Sequence, residues 1–151
     1  MLQITAVVKN EIEVDKLRIL DFYLAFPAEL LSIKSFRGFN KYRELIEAES
    51  NKYERVLDRK RLFYKMEHIQ ISAIKTLVSY GVFDPIDYKR NIIKRTEIQL
   101  SEDINERIEQ ANAIKEDIIK LITGPLASMN LYGHLGLKVR ANLLEFRYDA
   151  V

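Results

Sequence analysis

The grouping of residues that comes nearest to a catalytic site is Asp84, Asp87 and Lys89. An Asp-x-Lys pair is half of a metal-dependent nuclease site, in which carboxylates hold a cation and the lysine stabilises developing negative charge. Asp84 is too close in sequence to be the usual second ligand on another strand, and Pro85 indicates a turn, whereas metal sites need ligands that converge from rigid elements. An independent nuclease is therefore the least favoured of three functional hypotheses.

Other residues that could react are few. His68 and His134 are the only histidines, and His68 stands among apolar residues at helical spacing, which favours a part-buried, hydrogen-bonded structural role. No serine lies in a Gly-x-Ser-x-Gly turn, and Gly133-x-x-Gly136 lacks the lysine and hydroxyl of a phosphate-binding loop. Cysteine is absent. We therefore predict no catalytic residue, no metal site, no cofactor and no enzymatic activity.

Aromatic, aliphatic and arginine side chains are concentrated in two segments, residues 14–27 (VDKLRILDFYLAFP) and 136–149 (GLKVRANLLEFRYD). Large aromatic and arginine side chains dominate the hot spots of protein interfaces. We expect five of these residues to contact a partner protein: Phe22, Tyr23, Phe146, Arg147 and Tyr148. Packing of the same aromatic rings in the core is the open alternative.

Charge is distributed unevenly along the chain. The net charge is only +2, but residues 52–65 carry six basic residues against two acids, and residues 101–117 carry six acids against two basic residues. Such opposite local charges can steer association with a charged partner. Two solvated helix faces are the alternative interpretation.

Four further basic residues flank a predicted strand, and in a winged helix they would lie in or beside the wing, where basic residues contact phosphate: Lys89, Arg90, Lys94 and Arg95. Lys75 is the only basic residue between Glu67 and Tyr80, so the preceding helix is poorly suited to read the major groove. A small DNA-binding regulator is therefore the second hypothesis, behind a protein-binding role.

The spacing of apolar residues predicts the elements that must position these groups. Helices are expected over residues 13–26, one turn at 27–33, an interrupted stretch at 42–57, residues 66–80 within the stretch 61–84, and about six turns from Ser101 to Gly124-Pro125. Gly81 is placed for the positive φ of a helix end, and Ser101 for an N-cap. A polar turn is expected after Pro85, and strands at residues 2–8, 91–96 and 142–148.

Composition bounds the remaining possibilities. A chain of 151 residues with 48% hydrophobic and 30% charged residues fits one folded domain, residues 1–151. Without cysteine, a reducing cytosol is the simplest compartment, and no secretion signal is visible. The longest charge-free run, residues 121–137, is too polar and too broken to span a bilayer.

Both end segments, together with residues 61–84 (RLFYKMEHIQISAIKTLVSYGVFD), resemble the middle-component proteins of bacterial ABC-three-component systems, of which Lamassu-type defence modules are a related set. The similarity is strongest at Val14-Asp15, 17–21, Phe26-Pro27, 66–70, Gly81 and 136–149. None of these is a catalytic motif. The chain departs from the family pattern at Ala141-Asn142, where we expect a hydroxyl-bearing residue and glycine; asparagine tolerates a left-handed backbone, so the turn can survive.

That resemblance implies a small winged-helix-like accessory protein, encoded between an SMC- or Rad50-type ATPase and an effector, often a nuclease. The middle protein would bind both, or bind the ATPase and hold the effector inactive. We therefore expect a mainly α (α+β) domain with a small β-wing, acting as a non-enzymatic adaptor in the response to phage or plasmid DNA. The expected partners are the ATPase and the effector, with at most indirect or weak DNA contact and no membrane.

Overall fold

The structure, a computed structural model, describes residues 1–49 and 56–144. Its α-helices are α1 (Leu2–Val7), α2 (Val14–Ala25), α3 (Asn40–Glu49), α4 (Arg59–Ser79), α5 (Pro85–Lys89), α6 (Glu102–Ile114), α7 (Glu116–Leu121) and α8 (Leu137–Ala141). A 3-10 helix (Pro27–Ser32) follows α2, and a π-helical turn (Ile122–Leu126) follows α7. Two short strands, β1 (Ile12–Glu13) and β2 (Ile92–Ile93), complete the elements, so the predicted mainly α class is confirmed.

Helix α2 lies at the centre of the core. Nine of its twelve residues are buried, on all sides of the helix, and it packs against α1, α4, α8, the 3-10 helix and the π-helical turn. The ring of Phe22 meets those of Tyr23 and Phe63 edge-on, each at 5.6 Å between centroids. A helix that is apolar on most of its circumference is expected to be surrounded by other elements.

Helix α4 is the longest helix, and most of its surface is uncovered. Of its 21 residues, Phe63, Gln70 and Ile74 are buried, which is a narrow stripe along one side. The Asp58 side chain caps its first turn by accepting from the Arg61 backbone N–H. Its other end closes as predicted at Gly81, whose φ of +71° would strain other residues, and the backbone N–H of Val82 donates to the Leu77 carbonyl.

A buried polar network joins α2 to α4. The Gln70 amide donates to the Arg18 backbone carbonyl at 3.1 Å and to the Asp21 carboxylate at 3.0 Å, and its oxygen accepts from Arg18 Nε at 3.3 Å. The Met1 ammonium donates to the other Asp21 oxygen at 2.8 Å. Because buried polar groups are costly unless they are paired, these hydrogen bonds fix how α4 sits on α2.

The two strands pair antiparallel, with Ile12 opposite Ile93 and Glu13 opposite Ile92, so the predicted strand near residues 91–96 is confirmed. An isolated bridge joins Phe83 to Arg95. The residues between Phe83 and Arg95 form no hairpin wing, because they contain α5. This helix occupies the stretch after Pro85 that was predicted to be a polar turn. Asp84 caps it by accepting from the backbone N–H groups of Ile86 and Asp87.

Three further element predictions were wrong. Residues 2–8 form a helix rather than a strand, because packing of α1 against α2 and α6 overrides β propensity. The predicted six-turn helix breaks at Lys115, whose Nζ donates to the Leu24 carbonyl, and continues through Gly124-Pro125 as a π-helical turn. The predicted strand at residues 142–148 does not begin at Asn142, which has φ of +50° and ends α8, and its residues 145–148 lie outside the described residues; the tolerance of asparagine for this conformation is confirmed.

Candidate partner-binding site

The two aromatic anchors predicted in α2 lie in the core. Phe22 and Tyr23 are both 0% exposed, so neither ring is available to a partner, and their position matches the alternative of core packing. The reason is the near-complete coverage of α2 by its neighbours. The Tyr23 hydroxyl has no hydrogen-bond partner among the described residues, and burial raises its pKa well above the usual range, with a smaller opposing effect from the Arg59 charge.

Phe146, Arg147 and Tyr148, the other three predicted anchors, lie outside the described residues. Leu143 and Leu144, which immediately precede that segment, line a groove between the N-terminal halves of α2 and α4. The structure therefore places the last described residues before the predicted anchors next to a concave surface.

This groove, the α2–α4 groove, encloses about 630 Å³. Nine residues line it: Asp15, Arg18, Lys60, Arg61, Phe63, Tyr64, Glu67, Leu143 and Leu144. The Phe63 ring is buried and forms part of the wall, whereas Tyr64 is 76% exposed. Concave surfaces with apolar walls and a few charged groups are typical binding sites.

Ion pairing within the groove centres on Arg18, which is 4% exposed. Its guanidinium donates to Asp15 at 2.9 Å, lies 3.6 Å from Glu67, and sits 5.0 Å from the centroid of the Phe63 ring. Lys60 and Arg61 are exposed on the rim, and no ion pair of either side chain is found in the described part of the chain. Arg18 therefore offsets part of the charge of the two acids, and the two cations on the rim are exposed.

Sequence reasoning noted the basic residues of this region but not the groove. Lys60 and Arg61 belong to the basic cluster at residues 52–65, of which 50–55 lie outside the described residues. The aromatic pair Phe63-Tyr64, which follows directly, was the available signal, since one ring faces the core and its neighbour faces solvent. The acidic counterpart, α6, is exposed along most of its length as predicted.

The four basic residues of the DNA-binding hypothesis lie around α5 and β2. Lys89 and Arg90 are exposed at the end of α5. Lys94 is paired with Glu11 at 3.0 Å and lies 4.0 Å from Asp87; the Glu11 hydrogen bond and charge raise the pKa of Lys94. Arg95 is partly buried, and this burial lowers its pKa. Two of the four cations, Lys89 and Arg90, are therefore exposed, whereas Lys94 is paired with acids and Arg95 is partly buried.

Both histidines are exposed, so the prediction of a part-buried His68 was wrong: it lies on the uncovered side of α4. Across residues 1–49 and 56–144, the structure contains no group of three or more acidic or histidine side chains that could hold a metal ion. Within the same residues, no helix combines the length and the apolar character that crossing a membrane requires.

Fold and surface together define a small, mainly helical protein with a charged groove at its longest helix. The chain belongs to the family of Middle Component 5 of ABC-three component (ABC-3C) systems, whose model matches residues 1–149. As a middle component it is an accessory subunit of a multi-subunit system and has protein partners there. Comparison with curated proteins and with solved structures gave no match.

Proposed function

We propose that this chain is a non-enzymatic adaptor that joins an SMC- or Rad50-like ATPase to an effector, a nuclease, in a cytoplasmic, Lamassu-like defence against phage or plasmid DNA. Its membership of a middle-component family supports an accessory role. The observation that carries the proposal is the α2–α4 groove, in which the exposed Tyr64 and the rim cations Lys60 and Arg61 lie in one lining with Leu143 and Leu144. Aromatic and arginine side chains beside a concave surface are typical of protein interfaces.

The state of the groove's acids also favours binding over catalysis. A general acid or base must reach its substrate with a proton free to move. Asp15 is engaged by Arg18, and Glu67 lies close to the same guanidinium. The two carboxylates therefore pair with Arg18, whose guanidinium lies over the Phe63 ring in the wall of the groove.

Co-purification with the ATPase subunit of the same system tests the proposal. Arg147→Ala/Tyr148→Ala is expected to abolish co-purification while the variant keeps the wild-type circular dichroism spectrum. Arg107→Ala/Tyr80→Ala is the matched control, because both of these side chains are exposed and lie away from the groove. A folded Arg147→Ala/Tyr148→Ala variant that still co-purifies would remove these residues from the interface.

A small DNA-binding regulator is the second candidate, favoured by the exposed cations Lys89 and Arg90 at the end of α5. It predicts a duplex mobility shift that weakens steeply with salt and is lost when Lys89, Arg90, Lys94 and Arg95 are replaced by alanine. The absence of any shift at low salt would eliminate it.

A further inference from the structure

The start of α4 concentrates cations at a helix N-terminus, next to the N-cap carboxylate of Asp58. Its first three residues, Arg59, Lys60 and Arg61, are all cations, and its first turn holds no acid. The N-terminus of a helix carries a partial positive charge, so cations there are unfavourable and acids favourable. Local conflicts of this kind in a folded protein are concentrated at functional sites. The position of two of these cations on the rim of the α2–α4 groove supplies an independent reason to look for a ligand there.

We infer that the α2–α4 groove binds an acidic segment of the partner ATPase, one that carries carboxylates beside an apolar or aromatic side chain. This inference rests on the proposed function, since it names the chemistry of the partner at that interface. The carboxylates would pair with Lys60 and Arg61, and the apolar side chain would pack against Tyr64 and Leu144.

Charge complementarity fixes the sign of the partner segment. The lining carries three cations, Arg18, Lys60 and Arg61, against two acids, Asp15 and Glu67, so its formal charge is positive by one. Lys60 and Arg61 are exposed on the rim. Interfaces place opposite potentials against each other, and rim charges mainly set the association rate and its salt dependence.

Single-stranded nucleic acid is the competing ligand, because an exposed aromatic ring beside cations is also its signature. Arg18, the cation inside the groove, is already engaged by Asp15 and Gln70, so it is not free to bind a phosphate. Leu143 and Leu144 offer aliphatic surface rather than a second stacking ring. A peptide can direct its carboxylates to the rim and its apolar side chain to the wall.

Binding affinity for the purified ATPase subunit, measured by biolayer interferometry at several salt concentrations, tests the inference. Lys60→Glu/Arg61→Glu should weaken binding about tenfold or more and flatten its salt dependence. The variant should remain folded, because glutamate in the first turn suits the helix dipole. Lys75→Glu, on the same helix but away from the groove, should change affinity by less than about twofold. Tyr64→Ala should weaken binding, whereas Tyr80→Ala, 74% exposed on that helix, should not.

The outcomes separate the two proposals. If Lys60→Glu/Arg61→Glu and Tyr64→Ala bind like the wild type while Arg147→Ala/Tyr148→Ala does not, the inference is overturned and the adaptor function stands. If the wild type does not bind the ATPase at all, the adaptor function fails and the inference fails with it. If the groove variants lose binding to an oligo(dT) probe but keep binding to the ATPase, the groove is a nucleic-acid site instead. Circular dichroism and thermal unfolding of each variant exclude loss of fold as the cause.

Discussion

At the scale of single residues, Gln70 contributes most to the junction between α2 and α4. It is 2% exposed, and it holds both the Arg18 side chain and the Asp21 carboxylate. A buried amide in this position satisfies two charged groups at once, which is why a polar residue stands in the buried stripe of α4. Its loss would remove one hydrogen-bond partner from each group, one of which, Arg18, is almost fully buried.

Gln70→Leu keeps the approximate size of the side chain but removes all three hydrogen bonds. We expect it to lower the free energy of unfolding by about 2–4 kcal/mol, because it removes two hydrogen bonds to charged groups and the one that Gln70 donates to the Arg18 backbone carbonyl. Urea unfolding followed by circular dichroism measures this. Ser72→Ala, exposed on the same helix, should change it by less than about 0.5 kcal/mol. Equal stability of the two variants would show that the network is not stabilising.

Tyr23→Phe tests the burial of the second α2 anchor. The Tyr23 hydroxyl has no partner among the described residues, so its removal should raise the free energy of unfolding by about 1 kcal/mol near neutral pH. Burial raises the hydroxyl's pKa above its unfolded value of about 10, so the unfolded state loses its proton first as pH rises. The titration of this group therefore leaves the wild-type free energy of unfolding unchanged below about pH 10 and lowers it between pH 10 and the folded-state pKa. The wild type should therefore lose more stability above pH 10 than Tyr23→Phe.

Urea unfolding at pH 7 and at alkaline pH distinguishes the outcomes for this position. Tyr64→Phe is the control: its ring is 76% exposed, so stability should change little at either pH. A loss of more than about 1 kcal/mol in Tyr23→Phe at pH 7 would mean that the hydroxyl makes a stabilising hydrogen bond.

At the scale of elements, the C-terminal part of the described chain is held by Arg140 in α8. Its guanidinium donates to the backbone carbonyls of Lys34, Ser35 and Leu135, at 3.2, 2.6 and 2.8 Å. The backbone N–H of Lys34 donates in turn to the Arg140 carbonyl at 3.0 Å. These contacts join α8, and with it the groove residues that follow, to the loop after the 3-10 helix.

Arg140→Ala removes three of these four hydrogen bonds. Hydrogen–deuterium exchange read by mass spectrometry should become about tenfold faster or more in residues 33–39 and 135–144, since local opening there would cost less free energy. Exchange in α6 should stay unchanged. Arg37→Ala, exposed in the same loop, is the matched control. Unchanged exchange near α8 would contradict the role given to Arg140.

The elements that the sequence predicts well are those whose limits are set locally. The end of α4 at Gly81 and the start of α6 at Ser101 follow from backbone conformation and capping. Contacts distant in sequence decide the others: Lys115 ends α6 because it reaches the Leu24 carbonyl, and α1 is a helix because it packs on α2 and α6. At the site, the basic cluster at residues 52–65 included Lys60 and Arg61. The identity of a residue as aromatic could not show that Tyr23 is buried and Tyr64 exposed, because burial depends on contacts between distant parts of the chain.

At the scale of the whole molecule, the charged surfaces are separate. The basic start of α4 borders the groove, whereas the acids of α6 lie on another helix that packs against α1 and α7. With a net charge of +2, attraction to a partner must arise from these local surfaces rather than from the total charge. This arrangement suits an adaptor, since two surfaces of opposite sign can engage two different subunits.

The central claim is that the protein works by binding a larger ATPase partner. The most direct measurement is size-exclusion chromatography with light scattering of a mixture of the purified chain and the ATPase subunit of its system. We predict a single stable species whose mass is accounted for by both subunits at low micromolar concentration. Separate elution of the two proteins at that concentration, with each folded, would contradict the account.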